Sequence, residues 1–165
     1  MIISLQDIAK IRNAISNLNL NSPNDFKLYQ ELSYQFINLT KKFKLDMDSE
    51  GTKNAFLDNF KCYNKLLKAY YGSRIWKRLK PNEQLCILYI FYVGDNALIY
   101  KTNRFYINIT NYAKTSKSMY LRKAIIEILN FHNISKNNSN ALVEIQNSRQ
   151  IQAIMLSAKG NDDIR

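Results

Sequence analysis

The part of the sequence that decides the fold is residues 105–145, which read FYINITNYAKTSKSMYLRKAIIEILNFHNISKNNSNALVEI. At its start three large apolar residues, Phe105, Ile107 and Ile109, occupy every second position. An alternation with a period of two is typical of a strand that buries one face. We therefore predict a short strand over residues 105–109.

The pattern after this strand changes to helix. Thr110 or Asn111 can cap a short helix, because both side chains accept hydrogen bonds from backbone N–H groups. After a polar turn at residues 115–118, apolar residues recur at helical spacing and predict a longer helix over residues 118–130. We expect the core-facing stripe of this helix to consist of Leu121, Ala124, Ile125 and Ile128.

Two β-compatible runs end the quoted stretch. Residues 131–135 and 141–145 flank the polar loop KNNSN at 136–140, whose residues tolerate turn geometry. The sequence therefore predicts a β-hairpin. His132 is the only histidine of the chain, and we expect a core or edge residue rather than a general base.

Outside this stretch the chain reads as helices joined by short connections. Apolar residues at helical spacing predict helices over about residues 4–18, 22–43, 52–71, 82–93 and 146–158. The helix that Pro81 starts and Gly94 ends carries the apolar run Leu85 to Val93, so we expect it to be central and surrounded by protein. The last residues, 160–165, are predicted to be a frayed tail.

The predicted order of helix, strand, helix, turn, helix and hairpin between Asn82 and Ile145 resembles that of a winged helix-turn-helix domain. The resemblance implies that the helix over residues 118–130 is the recognition helix, which enters the major groove, and that the hairpin is a wing on the DNA backbone or minor groove. Two features depart from the family's pattern. The interval between Ala113 and the cap at residues 116–118 is short, and the turn contains no glycine.

The resemblance also implies a set of DNA-binding residues. Because the apolar stripe of the recognition helix packs inward, we expect Lys117, Tyr120 and Lys123 on its outer face and Arg122 at the flank. Side chains of these types bind base edges and phosphates. The complete predicted set is Lys114, Lys117, Ser118, Tyr120, Arg122 and Lys123, with Lys136, Asn137 and Asn138 in the wing.

The charge of the chain favours the same function. Its 165 residues include 24 Lys and Arg against 13 Asp and Glu, a net charge of +11, and nucleic acid is the commonest partner of such a protein. Residues 101–123 contain six basic side chains and no acidic one. Part of the lysine excess is what an AT-rich genome produces, so an ordinary α+β domain with a solvated basic face is the alternative interpretation.

Residues 61–80 provide an additional basic strip, with seven basic side chains and no acidic one. Aromatic residues are interleaved with the basic ones, and the two types suit a nucleic-acid surface through stacking and phosphate contact. Tyr63 and Tyr70 share a helical face with Leu67, however, which favours core residues over a stacking platform. The predicted strip consists of Lys61, Lys65, Lys68, Arg74, Lys77 and Arg78.

Other classes of protein have little support in the sequence. It contains no phosphate-binding glycine loop, G-x-S-x-G elbow or H-E-x-x-H motif, so we expect neither an enzyme nor a cofactor. Residues 46–51 begin like an EF-hand loop, but its twelfth position is Leu57 rather than Glu, so no metal site is expected. Cys62 and Cys86 lack metal-ligand spacing and are expected to be buried, reduced thiols. The longest apolar run is too short to cross a bilayer, which favours a cytoplasmic protein.

Together with the low Gly and Pro content, these patterns predict a mostly α protein with N-terminal helices and a winged-helix-like domain carrying a small β-hairpin. The predicted division is a helical region over 1–80, a DNA-binding region over 81–159 and a tail over 160–165. The predicted function is non-catalytic binding of double-stranded DNA, as a transcriptional regulator or replication initiator of a mobile element. The alternative is a helical interaction or inhibitor protein of a phage or plasmid. A homodimer is expected, because N-terminal aromatic residues offer more surface than a thin helical layer hides: Phe26, Tyr29, Tyr34 and Phe36.

Overall fold

The computed structural model describes residues 5–47, 50–131 and 149–158, and these parts of the chain are mostly helical and contain no strand. The prediction of a mostly α protein is therefore confirmed. The α-helices are α1 (Leu5–Ser16), α2 (Pro23–Met47), α3 (Glu50–Tyr71), α4 (Ser73–Arg78), α5 (Pro81–Val93), α6 (Arg104–Thr115) and α7 (Ser118–Asn130), with a 3-10 turn at Asn96–Ile99. Residues 149–157 form a further helical segment, here called α8.

The N-terminal helices pack on each other and on the rest of the chain. Helix α2 begins at Pro23, and Ser22 caps it by accepting a hydrogen bond from the backbone N–H of Asp25 at 3.5 Å. Phe26 and Tyr29 are buried in the core, with 5% and 4% of their surface exposed. The aromatic surface that predicted a homodimer is thus largely covered within one chain, which removes that reason for self-association.

Helix α5 contributes fully buried residues to the core, although Tyr92 in its apolar run is 50% exposed, so protein surrounds only part of the helix. Cys86, Ile87 and Ile90 are completely buried. The helix starts at Pro81, and the Glu83 carboxylate accepts a hydrogen bond from the backbone N–H of Lys80 at 2.7 Å. It ends at Gly94, whose φ of 88° lies in the left-handed region that glycine adopts without steric cost.

The predicted strand over residues 105–109 is wrong, because these residues belong to helix α6. Phe105, Ile109 and Ala113 are buried, whereas Ile107 is 44% exposed. Burial thus recurs every fourth residue, as on one face of a helix, rather than every second residue. The side chain of Asn103 fixes the start of this helix by accepting a hydrogen bond from the backbone N–H of Phe105 at 2.8 Å.

Helix α7 has the predicted bounds and the predicted core face. Its buried residues are Leu121, Ala124, Ile125 and Ile128. Helices α6 and α7 make the most extensive contact between helices in the described residues. The predicted hairpin, its loop residues Lys136, Asn137 and Asn138, and His132 lie outside the described residues, apart from Phe131 where the first run begins. The predicted tail at 160–165 lies outside them as well.

Helix α8 joins the N-terminal helices to α5. The amide of Asn82 donates hydrogen bonds to the backbone oxygens of Met155 and Ala158 at 2.9 and 3.0 Å. The hydroxyl of Ser157 donates to that of Ser33 in α2 at 2.8 Å, and both residues are buried. One buried apolar cluster therefore includes residues on both sides of position 80.

The two cysteines differ in their surroundings. Cys86 is buried and donates a hydrogen bond through its Sγ to the backbone oxygen of Gln152 at 3.2 Å. Burial, together with the nearby Glu83 carboxylate, raises the pKa of this thiol. Cys62 is exposed, so the prediction of two buried thiols is correct only for Cys86. None of the described helices has the length and apolar character that crossing a membrane requires.

Candidate nucleic-acid interface

A tight turn of two residues, Ser116 and Lys117, connects α6 to α7. Ser116 adopts the left-handed conformation with φ 59°, and its N–H donates to the backbone oxygen of Tyr112 at 2.7 Å. The Thr115 hydroxyl donates to the oxygen of Asn111 at 2.8 Å and accepts from the N–H of Lys117 at 3.3 Å. A serine supported by its neighbours thus takes the conformation for which glycine is the usual residue.

The beginning of α7 faces the exterior. Residues 114–119 are all exposed, including the predicted DNA-binding residues Lys114, Lys117 and Ser118. Lys117 is the residue that precedes the helix, and its side chain does not cap the first turn. The N-terminal N–H groups and the positive end of the helix dipole therefore lie beside two lysines, which is a favourable setting for an anion.

The outer face of α7 carries the other predicted residues. Lys123 is exposed, and its Nζ lies 6.0 Å from the centre of the Tyr120 ring. Tyr120 and Arg122 are half-buried. Among the described residues, Tyr120 does not belong to the buried apolar cluster or to the half-buried residues packed against it. The sequence therefore assigned the two faces of this helix correctly.

The residues of the additional basic strip lie in α3 and α4. Lys61 and Lys65 in α3 and Arg74, Lys77 and Arg78 in α4 are exposed, while Lys68 is half-buried. The predicted additional strip is therefore mostly at the surface.

The aromatic residues of this segment are mainly structural. Tyr71 and Trp76 are 5% and 3% exposed, and the indole N–H of Trp76 donates to the Oδ1 of Asn64 at 3.1 Å. Tyr63 is half-buried and meets Phe91 edge to face, with ring centres 4.8 Å apart. Tyr63 is thus a packing residue as expected, whereas Tyr70, which was also expected in the core, is 36% exposed. Burial leaves little of Tyr71 or Trp76 for a nucleobase.

The two segments without acidic residues, 61–80 and 101–123, lie side by side. At one end, the Tyr71 ring stacks on Tyr106 of α6 with centres 4.9 Å apart. At the other end, the Nη1 of Arg78 donates to the backbone oxygens of Ala113 and Lys114 at 3.4 and 3.3 Å. Helix α4 is thereby held along α6.

Arg78 has a structural role that the sequence did not reveal. Its guanidinium binds carbonyls at the C-terminus of α6, where the helix dipole is negative and backbone oxygens lack partners within the helix. We call the exposed basic residues of the two adjacent segments the basic surface. Its members are Lys61, Lys65, Arg74, Lys77, Arg78, Lys101, Arg104, Lys114, Lys117 and Lys123.

Sequence reasoning missed the turn between the 3-10 turn and α6. Tyr100 is 60% exposed, and Lys101 beside it places its Nζ 5.4 Å from the centre of the Tyr70 ring. The Tyr70 hydroxyl donates to the backbone oxygen of Ile99 at 2.7 Å, and partial burial is the main cause that raises its pKa. Asn103 signals a helix start, but the alternation that follows it obscured this signal.

Phe131 and Arg149, the two described residues that flank 132–148, are in contact. The Arg149 guanidinium lies 4.5 Å from the centre of the Phe131 ring. Arg149 is buried; loss of hydration lowers its pKa, and Asp95 opposes this effect. Asp95 in turn accepts a hydrogen bond from the side-chain amide of Gln152 at 2.9 Å. The two ends of the stretch at 132–148 are therefore held together.

Comparison of the chain with protein-family models, with curated proteins and with solved structures found no match. Within the described residues, no group of three or more His, Cys, Asp and Glu side chains is placed to hold a metal ion. Function is therefore inferred from the residues and charges of the surface itself.

Proposed function

We propose that the chain is a non-catalytic protein that binds double-stranded DNA through the basic surface. The observation that carries the proposal is the convergence of the two acid-free segments, which Tyr106 and Arg78 join at opposite ends of α6. Basic side chains on two adjacent segments can neutralise several phosphates at once, and release of the phosphates' counterions drives binding.

The pair α6 and α7 is the part of the proposed interface that reads base sequence, as in the winged helix-turn-helix domain that the chain resembles. Helix α7 is the proposed recognition helix, because its beginning is exposed and its inner face is fixed in the core. In this proposal Lys117 and the first-turn N–H groups position a phosphate, whereas Tyr120 and Lys123 contact base edges.

The proposed wing is the stretch at 132–148, with Lys136, Asn137 and Asn138 as its DNA contacts. Its support is the sequence, in which β-compatible runs at 131–135 and 141–145 flank a polar loop. The strand expected at 105–109 is not part of the proposal, since those residues are helical. The proposed fold is thus a winged-helix variant whose described part is mostly helical and contains no strand.

The salt dependence of duplex binding tests the proposal. Binding of a 20-base-pair duplex should weaken steeply as salt rises, with a slope of log affinity against log salt of about −0.9 for each phosphate contact. The double variant Lys114→Gln/Lys117→Gln should lower the magnitude of this slope by about 1 to 2. The control, Lys10→Gln/Lys27→Gln, removes the same charge from exposed positions in α1 and α2 and should leave the slope almost unchanged.

Two results would contradict the proposal. The first is absence of binding at low salt, which would favour the alternative that the basic surface meets an acidic protein. The second is an equal loss in the two double variants, which would show attraction by net charge without a defined surface. We propose that the protein binds duplex DNA in the cytoplasm as a transcriptional regulator or a replication initiator of a mobile element.

A homodimer on two half-sites remains part of the proposal, because winged domains commonly bind DNA in that form. Sedimentation with and without duplex DNA measures it directly. A mass of 19.4 kDa for the free protein at micromolar concentration, with one copy per duplex, would contradict the dimer.

A further inference from the structure

Tyr100 is the most exposed of the large apolar residues in the described chain, with 60% of its surface accessible. Its backbone is nevertheless fixed on both sides. Its N–H donates to the oxygen of Ala97 at 3.3 Å, and its own oxygen accepts from the N–H of Asn103 at 2.8 Å, which closes a turn over residues 100–103. Asn103 then caps α6. The exposed ring is therefore displayed by a turn that the neighbouring helix anchors.

The Tyr100 side chain has little role inside the protein beyond its electrostatic effect on Tyr70. Within the described residues, its side chain makes no hydrogen bond and no ring contact. The nearby Tyr70 side chain, by contrast, donates a hydrogen bond and packs edge to face against another ring. Leaving a large aromatic ring in water forgoes the free energy of burying it. A ring kept in this position is therefore available to a binding partner.

The surroundings of Tyr100 are positively charged. Lys101 follows it in the turn, and Arg104 begins α6; both side chains are exposed. Asp95 is the last acidic residue before the turn, and the segment from 101 to 123 contains none. An aromatic ring with two cations within four residues complements an unpaired nucleobase and its phosphates.

We propose that Tyr100 is a stacking platform for an unpaired base of single-stranded DNA, with Lys101 and Arg104 on the adjacent phosphates. The site lies at the N-terminal end of α6, while the α6–α7 turn lies at the other end of the same helix. This stacking site rests on the proposed duplex binding. Together, the two sites would bind a duplex that continues into a single strand.

Three DNA probes test the site: a blunt 20-base-pair duplex, the same duplex with a ten-thymine 3′ overhang, and the single strand dT20. The wild-type protein should bind the overhang duplex at least about fivefold more tightly than the blunt one, the smaller effect expected for one stacked base. Tyr100→Ala should remove this preference and weaken dT20 binding by a similar factor, with no change for the blunt duplex. Tyr100→Phe should retain the preference, because it keeps the ring.

A matched control is available in α5. Tyr92 is 50% exposed and lies outside both acid-free segments, so Tyr92→Ala should leave binding of all three probes unchanged. Circular dichroism of each variant checks the helical fold, and exposure of both tyrosines predicts little loss of stability.

The outcomes separate this site from the proposed function. If the protein binds dT20 in a Tyr100-dependent manner but does not bind the blunt duplex, the proposed duplex binding is wrong and the stacking site stands. If the wild type shows no preference for the overhang, or if Tyr100→Ala keeps that preference, the stacking site is wrong while duplex binding stands. Loss of the overhang preference in Tyr92→Ala would also overturn it.

Discussion

The assignment of residues 104–115 to a helix is tested by two substitutions of the same residue type, Ile107→Ala and Ile109→Ala. A strand with alternating burial would place both side chains on the core face. In helix α6 they differ, since Ile109 is fully buried and Ile107 is 44% exposed. The same chemical deletion should therefore have different effects on the free energy of unfolding.

The expected magnitudes follow from these exposures. Truncating a fully buried Ile to Ala costs about 2–5 kcal/mol, so Ile109→Ala should lie in that range. Ile107→Ala loses about half of the 1.5–3 kcal/mol that full burial of such a side chain provides. Alanine's higher helix propensity offsets roughly 0.4 kcal/mol of this loss. The net cost of Ile107→Ala is then about 0.3–1.1 kcal/mol.

Urea unfolding followed by circular dichroism measures both variants. The midpoint should fall strongly for Ile109→Ala and little for Ile107→Ala, with the same slope of free energy against urea. The two costs should differ by at least about 1 kcal/mol, which is roughly a fivefold difference in the unfolding constant. Equal losses in the two variants, or a larger loss for Ile107→Ala, would refute the helical assignment.

Three further predictions follow. A thiol reagent at pH 8 should modify Cys62 in the folded protein and Cys86 only after unfolding. Because burial raises the Cys86 pKa, the free energy of unfolding should decline as pH rises above about 8.5, where the thiol of the unfolded chain ionises. Leu121→Ala should cost about 2–5 kcal/mol in a thermal or urea melt. Tyr120→Ala should cost less, because its ring is half-buried and lies outside the buried apolar cluster, and it should weaken binding to a DNA site selected from random sequences. Arg78→Gln should destabilise the fold by about 0.3–1 kcal/mol in urea unfolding, since its cation lies at the C-terminus of α6, and an unchanged midpoint would contradict that role.

Helix ends and helix faces were predictable where local chemistry defines them. Pro81 and Gly94 bound α5 because one residue lacks an N–H that the first turn does not need and the other adopts a left-handed conformation. The faces of α7 were also predictable, since four apolar residues at helical spacing leave the basic ones outside.

The error at residues 105–109 has a simple physical origin. Phe105 and Ile109 satisfy both a period of two and a helical spacing of four. Only Ile107 and Ala113 distinguish the two patterns, and their burial depends on the tertiary structure. The cap at Asn103 was the one local signal for the helix.

The arrangement of the basic surface could not be read from the sequence. The sequence shows that residues 61–80 and 101–123 lack acidic side chains, but it does not show that they are neighbours. That relation depends on long-range contacts, notably those of Arg78 with the carbonyls of Ala113 and Lys114. The exposure of Cys62 and of Tyr100 likewise depends on which other elements pack nearby.

Chemical acetylation of lysines in the free protein and in the duplex complex, quantified by mass spectrometry, tests the central claim most directly. If the two acid-free segments form one DNA-binding surface, the duplex should protect lysines from both segments together: Lys77 from the first, and Lys114, Lys117 and Lys123 from the second. Lys10 and Lys27 should react at the same rate with and without DNA, because they lie in α1 and α2 outside that surface. Protection of Lys10 and Lys27, or no protection of either acid-free segment, would contradict the account.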